Sequence, residues 1–281
     1  MTTNVALVRG NSLNVWEGKL WDSVPGFSVT GFCSKKNLYP VDTLAFPVVR
    51  LSATTDSKFC NGWFSYVHGQ FQKMVGLEKA LSGYAIAHTA EIYNYYTWQA
   101  VQAKKNYRHL RVATTVWDNS FGRFDRAYVG GFAPPAWWTT RMKKLIAENA
   151  AGVDRFIAVS TGSKKLLQHY GVPEEKIRVI TPGLIAYTID QSRTVLDKYH
   201  LRAPLYLMVN RLTKEKGIYY VLVAWKKFVL QSGQKALLVI VGDGVEREAM
   251  LRLIREEGLS DSIRYIPYMP NQELRQLYPH D

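Results

Sequence analysis

The segment Val209–Gly217, VNRLTKEKG, places two cations, Arg211 and Lys216, on a short loop that leaves an apolar run and enters a helical period. A guanidinium is a planar fork of donors and an ammonium is a point charge, and together they suit a diphosphate. The first turn of the helix that follows adds free N–H groups and a partial positive charge. The pattern predicts donor-phosphate binding, with a solvated basic loop capping a helix as the alternative. Further on, a second apolar run ends in VGDG, Val241–Gly244, where Gly242 and Gly244 let the backbone turn tightly and approach a ligand at a sheet edge. Nearer the N-terminus, His88 and Asp118 follow the strand-like runs Tyr84–Ala87 and Val112–Val116, where parallel strands deliver functional groups. Asp118 is placed to orient an acceptor hydroxyl or sugar; for both residues the alternative is a loop position capping a helix or turn. Ser160, ahead of Thr161-Gly162-Ser163, reads as a helix cap.

These residues need a scaffold of alternating strands and helices, and the pattern supplies one. Leu205–Val209, Ala236–Val241 and Ile263–Ile266 read as strands. Helices follow them: one with Ile218, Val221, Leu222, Trp225 and Val229 on one face, one over Glu246–Glu257, and one over Asn271–Tyr278. In the first part, strands are expected at Val5–Val8, Phe27–Thr30, Tyr84–Ala87, Val112–Val116 and Phe156–Val159. Helices are expected at Gly69–Leu81, Ile92–Lys105, Thr139–Ala150 and Ser163–Tyr170. The polar stretch Thr188–Ala203 before Pro204 marks a boundary, dividing the chain into 1–195 and 196–281.

The chain's 281 residues, 47% of them hydrophobic, fill two cores. No run of about 18 apolar residues occurs, and the N-terminus lacks the basic flank and apolar segment of a signal peptide. The expected compartment is the cytoplasm. Cys33 and Cys60 stand in no CxxC or Cys/His spacing, so neither a disulfide framework nor a structural metal is expected. The formal charge is +13. Met1–Val195 holds 23 Lys/Arg against 13 Asp/Glu, or +10, and Leu196–Asp281 holds 13 against 10, or +3. A field of that sign concentrates nucleotides, lipid-linked phosphates or anionic membranes. Pro134–Ala150 combines Trp137 and Trp138 with Arg141, Lys143 and Lys144, which suits peripheral contact at the inner face of an anionic membrane; a helix packed on the sheet explains its apolar positions equally well. The basic residues are scattered and no RNP-like motif occurs, so no nucleic-acid partner is expected.

From Ala203 to Asp281 the order VNRLTKEKGI, LLVIVGDGVEREAMLRLI, IRYIPYMP, ELRQLYPHD resembles the donor domain of the family 4 glycosyltransferases. The stretch FIAVSTGSKKLLQHYGVPEEKIRVITPG, Phe156–Gly183, looks like the one joining that family's two domains. The resemblance implies a GT-B fold of the α/β class: two Rossmann-like domains facing a cleft, an acceptor-side domain over 1–195 and a donor-nucleotide-binding domain over 196–281. It implies a retaining, hexosyl-type transferase that moves a sugar from a nucleotide-sugar donor, itself the substrate, to a saccharide or lipid-linked acceptor in cell-envelope or surface glycan synthesis, with neither cofactor nor metal. In such enzymes Arg211 and Lys216 neutralise the donor diphosphate, and Tyr268, in the turn Pro267–Met269, lies where backbone meets nucleobase. Fixed cations of this kind stabilise the leaving nucleoside diphosphate as the glycosidic bond breaks. Asn11 stands in the first loop, Gly10–Asn14, which is usually glycine-rich in the family, and is grouped with Gly242, Gly244 and Tyr268 as a nucleotide-sugar contact. Trp117-Asp118-Asn119 replaces the His common after that strand, and Arg211, Lys216 and Asp118 form the expected catalytic set. The family's acidic motif lies beyond the last helix, so the second domain is expected to be truncated after about three βα units. A truncated, non-catalytic sugar-nucleotide-binding module is the alternative, and on either reading the 281-residue chain is expected to bind nucleoside diphosphate poorly and to show little or no transferase activity.

Overall fold

A computed structural model of the protein describes residues 2–22, 24–56, 72–119, 136–183, 194–202 and 204–278. The chain divides into two compact units, Met1–Gly183 and Leu184–Asp281. In the first, the elements run β1 (Thr3–Gly10), α1 (Val15–Gly18), β2 (Phe27–Ser34), β3 (Val48–Leu51), α2 (Leu77–Ala80), β4 (Ile86–Ala90), α3 (Tyr95–Asn106), β5 (Arg111–Val116), α4 (Ala136–Gly152), β6 (Arg155–Ala158), α5 (Thr161–His169) and β7 (Ile177–Val179). The sheet is parallel throughout, in the order β3-β2-β1-β4-β5-β6-β7. Strand order reverses between β1 and β4, which opens a crevice at the carboxyl ends of these strands.

Alternation along β1 explains why both faces must be covered. Val5 and Leu7 pack with Val29 and Cys33 on one side, while Ala6 and Val8 pack with Phe32, Ile92 and Tyr96 on the other. A strand buried on both faces reads as a continuous apolar run, and this one does. On α4, Trp138, Met142, Leu145 and Ile146 recur at helical spacing and enter the core. Trp137 points outward with 65% of its surface exposed. The apolar stripe of that helix is therefore core, and the exposed remainder is Trp137 beside basic side chains; Pro134 and Pro135 lie outside the described residues.

The second unit contains α6 (Thr194–Lys198), β8 (Leu205–Val209), α7 (Ile218–Ser232), β9 (Leu237–Val241), α8 (Arg247–Glu256), β10 (Ile263–Ile266) and α9 (Asn271–Leu277). Its parallel sheet has the order β10-β9-β8. Every residue of the central strand β9 is buried. Leu238 and Ile240 meet Leu222, Trp225, Met250 and Ile254 on one face, and Leu237, Val239 and Val241 meet Val195, Leu196, Leu274 and Leu277 on the other. Because α6 packs into this core, the compact units part at Gly183/Leu184 rather than at the 195/196 division drawn from sequence.

Two expected helices of the first unit start later than the sequence suggests. The helix expected over Gly69–Leu81 is a single turn, Leu77–Ala80, followed by a 3-10 turn at Leu81–Gly83. Gly76 is left-handed at φ 80°, which a right-handed helix cannot contain; residues 69–71 lie outside the described ones. The helix expected from Ile92 begins at Tyr95, because Glu91 takes a left-handed φ of 61° and Asn94 is extended, its side chain held by the Ala90 carbonyl at 2.9 Å.

Candidate active site

In the second unit, the loop after β8, the turn after β9 and the turn after β10 share one end of the parallel sheet. The Asn210 N–H donates to Val241 O (3.1 Å), Leu212 N–H to Asp243 O (3.0 Å) and Glu246 N–H to Leu212 O (3.1 Å), so the first two segments are stitched backbone to backbone. Gly242 has φ 137°, and a Cβ there would collide with the carbonyl oxygen of Asn210; a Cβ on Gly244 would collide with that of Leu212. The close approach these glycines permit within the chain is thus to the loop that carries Arg211.

That loop closes through a 3-10 turn, Lys214–Lys216, into Gly217, left-handed at φ 73°, which starts α7 with no side-chain cap. The first-turn N–H groups of α7 remain open to an outside acceptor. Arg211 and Lys216 are exposed, and neither charged end has a hydrogen-bond or ion-pair partner among the described residues. The Glu215 carboxyl is held below the usual carboxylate range, chiefly by its own backbone N–H, with Arg211 and Lys216 both adding attraction. Both cations thus act on one small region. Tyr268 is largely exposed after β10, between Pro267 and the buried Met269. Asp243 lies 3.6 Å from Arg247, the first residue of α8.

In the first unit the corresponding sheet end is a buried polar network. The Arg9 guanidinium, at the end of β1, donates to Glu17 Oε1 through Nε (2.9 Å) and Nη2 (2.7 Å), and through Nη1 to the carbonyls of Val8 (2.9 Å) and His88 (3.0 Å). Nη2 also lies 3.0 Å from His88 Nδ1. Arginine can only donate, so Nδ1 accepts and the ring proton sits on Nε2, 3.0 Å from Thr115 Oγ1. Burial first, and the Arg9 charge second, push the His88 pKa well below the ordinary imidazole value. His88 lies inside β4 rather than after it, because the strand continues to Ala90.

Asp118, half-buried after β5, accepts from the Tyr93 hydroxyl at 3.3 Å, and its N–H donates to Glu91 Oε1 at 3.2 Å. Asn11, after β1, receives no helix cap. Its N–H donates to Gln72 Oε1 (3.0 Å), its side-chain oxygen accepts from Ser12 Oγ (3.0 Å) and its carbonyl accepts from Leu38 N–H (2.8 Å). Asn11 and Asp118 end strands on opposite sides of β4. The structure therefore groups Arg211, Lys216, Gly242, Gly244 and Tyr268 at one sheet end, and Asn11 and Asp118 at the other unit's. Arg9, Glu17 and Thr115 escape sequence reading. A basic residue beside a glycine looks like a loop, although Asn14-Val15-Trp16-Glu17 has the spacing of a helix-capping box. Asn14 does cap α1, accepting from Glu17 N–H at 2.8 Å. Cys33 is a free buried thiol, and Cys60 lies outside the described residues. No group of metal-ligating side chains occurs among the described residues, and no helix among them is long and apolar enough to cross a membrane.

Two Rossmann-like units, each with its loops gathered at the carboxyl end of a parallel sheet, make this the GT-B fold of glycosyltransferases. Solved structures of that fold align along nearly the whole chain. Sucrose-phosphate synthase from Thermosynechococcus elongatus is 16% identical with a TM-score of 0.71, covering 99% of this chain and 73% of that one. HepE of Anabaena, in complex with UDP and glucose, is 13% identical with a TM-score of 0.68, covering 98% and 72%. Two family models match in series, Glycosyltransferase Family 4 over residues 48–185 and Glycosyl transferases group 1 over residues 197–280, and the chain belongs to the family 4 glycosyltransferases. Among curated relatives, an uncharacterized glycosyltransferase of Methanocaldococcus jannaschii is 28% identical over 132 residues (43% of this chain, 33% of the relative). The D-inositol 3-phosphate glycosyltransferase of Nocardia farcinica is 26% identical over 147 residues (48% and 32%). These matches span about a third of each relative's length.

Proposed function

We propose that the protein is a retaining glycosyltransferase of hexosyl type that uses a nucleotide-sugar donor and a saccharide or lipid-linked acceptor, working in envelope or surface glycan synthesis at the inner face of a membrane. The observation that carries this reading is the pair Arg211 and Lys216, exposed, without partners among the described residues and acting together on Glu215. Two fixed cations beside an open helix N-terminus attract a diphosphate and stabilise the charge that builds on it as the glycosidic bond breaks. That chemistry needs neither metal nor cofactor. Gly242 and Gly244 hold the loop in place, Tyr268 borders the nucleobase, Asn11 contacts the nucleotide sugar and Asp118 orients the acceptor. The acceptor hydroxyl attacks on the face that the diphosphate leaves. Complexes of HepE with UDP and with UDP-glucose lend support to a nucleotide-sugar donor.

Calorimetric titration of the full chain with a panel of nucleotide sugars tests the reading. One donor should bind, and Arg211→Ala and Lys216→Ala should each weaken it about ten- to a hundredfold, the value of a charge-assisted contact. Unchanged affinity in both variants, or no donor bound at all, removes the reading.

A further inference from the structure

A cavity of about 370 Å³ opens at the carboxyl end of the first unit's sheet, within the size range of small-molecule sites. Its wall includes Glu17, Leu20, Trp21 and Val24 from the α1 segment, Trp117 after β5, and Ile180 to Gly183 after β7. His88 and Thr115 also border it, but each is engaged: His88 Nδ1 by Arg9, and His88 Nε2 by Thr115 Oγ1 at 3.0 Å. Glu17 Oε1 takes both Arg9 contacts, at 2.7 and 2.9 Å. Glu17 is thus paired with Arg9 behind the wall and both His88 ring nitrogens are occupied, so a ligand meets mainly indole and aliphatic surface. A sugar ring buried here would lose water from several hydroxyls with few partners in exchange, and each hydroxyl left unpaired weakens binding. A hydrocarbon chain has no such cost.

The apolar surface continues out of the cavity. Leu20 lines it and is still 42% exposed, and Trp16, four residues earlier, is 65% exposed. The Trp16 ring meets Tyr39 edge-on with centroids 6.4 Å apart. Leu38, 67% exposed, is held beside the same loop by its N–H bond to Asn11 O. Lys19 adjoins Leu20 in the chain, and Lys35 and Lys36 lie two and three residues before Leu38; all three are exposed. The nearby carboxylates of Asp22 and Asp56 are committed to backbone N–H groups, of Ala45 (3.1 Å) and of Lys36 (3.1 Å) and Ala53 (2.7 Å) respectively.

Resting on the glycosyltransferase reading, we infer that the acceptor is a lipid-linked phosphate whose hydrocarbon chain runs over Trp16, Leu20 and Leu38 into this cavity, with Lys19, Lys35 and Lys36 meeting its phosphate. Apolar rim, mainly apolar wall and flanking ammonium groups match the three parts of such a molecule, and a free saccharide matches none of them.

Titration of the full chain with farnesyl phosphate, inorganic phosphate and maltose, followed by tryptophan fluorescence, is the test. Farnesyl phosphate should bind at least tenfold more tightly than inorganic phosphate, and maltose should not displace it. The variant Trp16→Ser/Leu38→Ser changes two exposed side chains and should keep its melting temperature and nucleotide-sugar affinity while losing at least tenfold in farnesyl phosphate affinity. Leu20→Glu should do the same. Equal binding of farnesyl and inorganic phosphate, displacement by maltose, or wild-type affinity in these variants overturns the inference. Absence of nucleotide-sugar binding with farnesyl phosphate affinity intact would instead remove the donor reading and leave the lipid site standing.

Discussion

Arg9 and Arg211 occupy the same place in their two sheets, each at or just past the carboxyl end of its unit's first strand, and they meet opposite fates. The fold surrounds Arg9 with Glu17, the carbonyls of Val8 and His88, and the His88 ring. Arg211 has no such company and faces solvent. An arginine locked in a buried ion pair is part of the scaffold; one whose exposed charged end makes no ion pair or hydrogen bond among the described residues is available for an anion. The same position in a Rossmann-like unit serves either role, and neighbours, rather than residue type, decide which.

The sharpest way to break this comparison is to remove the built-in partner. Arg9→Ala leaves Glu17 charged and buried and should cost about 3–5 kcal/mol in denaturant unfolding of the full chain. Arg9→Met/Glu17→Leu should cost clearly less than Arg9→Ala, because it removes both charges together. A double variant as damaging as the single would show that the pair is not what holds this corner.

Gly242→Ala should come next, at about 2–4 kcal/mol, since the new methyl has no space against Asn210 O and the residue keeps a φ of 137°. It should also lower donor affinity, by displacing the loop that bears Arg211.

The third effect depends on pH. His88 is buried neutral with its pKa depressed, so the unfolded chain binds the proton more readily than the folded one. Stability is then fully present above the unfolded value of about 6.5 and is lost as pH falls from there toward the lower folded value. The urea midpoint should drop between pH 7 and 5, and His88→Gln should flatten that slope. A midpoint that rises on acidification contradicts a neutral His88. Smallest of all, Arg211→Ala should leave unfolding free energy within about 0.5 kcal/mol of the parent, as an exposed side chain without partners should. A loss comparable with that of Arg9→Ala would end the contrast.

Legibility from sequence followed burial. β8 and β10, each with two buried residues in its run, are found where the apolar runs place them, and β9, buried along its whole length, begins one residue later than expected. β3 and β7 are not legible: β3 has no buried residue and β7 only Ile177, so neither run leaves an apolar pattern. The cation loop was visible because its residues stand within one short segment. The Arg9 network was not, since it joins residues 9, 17, 88 and 115, whose proximity exists only once β1, β4 and β5 lie side by side. His88 was placed beyond its strand because Thr89 and Ala90 look like a loop; the Thr89 hydroxyl instead pairs with Thr114 on the neighbouring strand at 2.7 Å.

The backbone stitching between the loop after β8 and the turn after β9 has a thermodynamic consequence. With the amides of Asn210 and Leu212 bonded across to Val241 and Asp243, and that of Glu246 bonded back to Leu212, the main chain on either side of Arg211 has already surrendered its freedom during folding. An anion arriving there need immobilise little more than one side chain. Its capture should therefore carry a small entropic penalty and a favourable heat, and those same three amides should be among the last in the second unit to exchange their hydrogens with solvent.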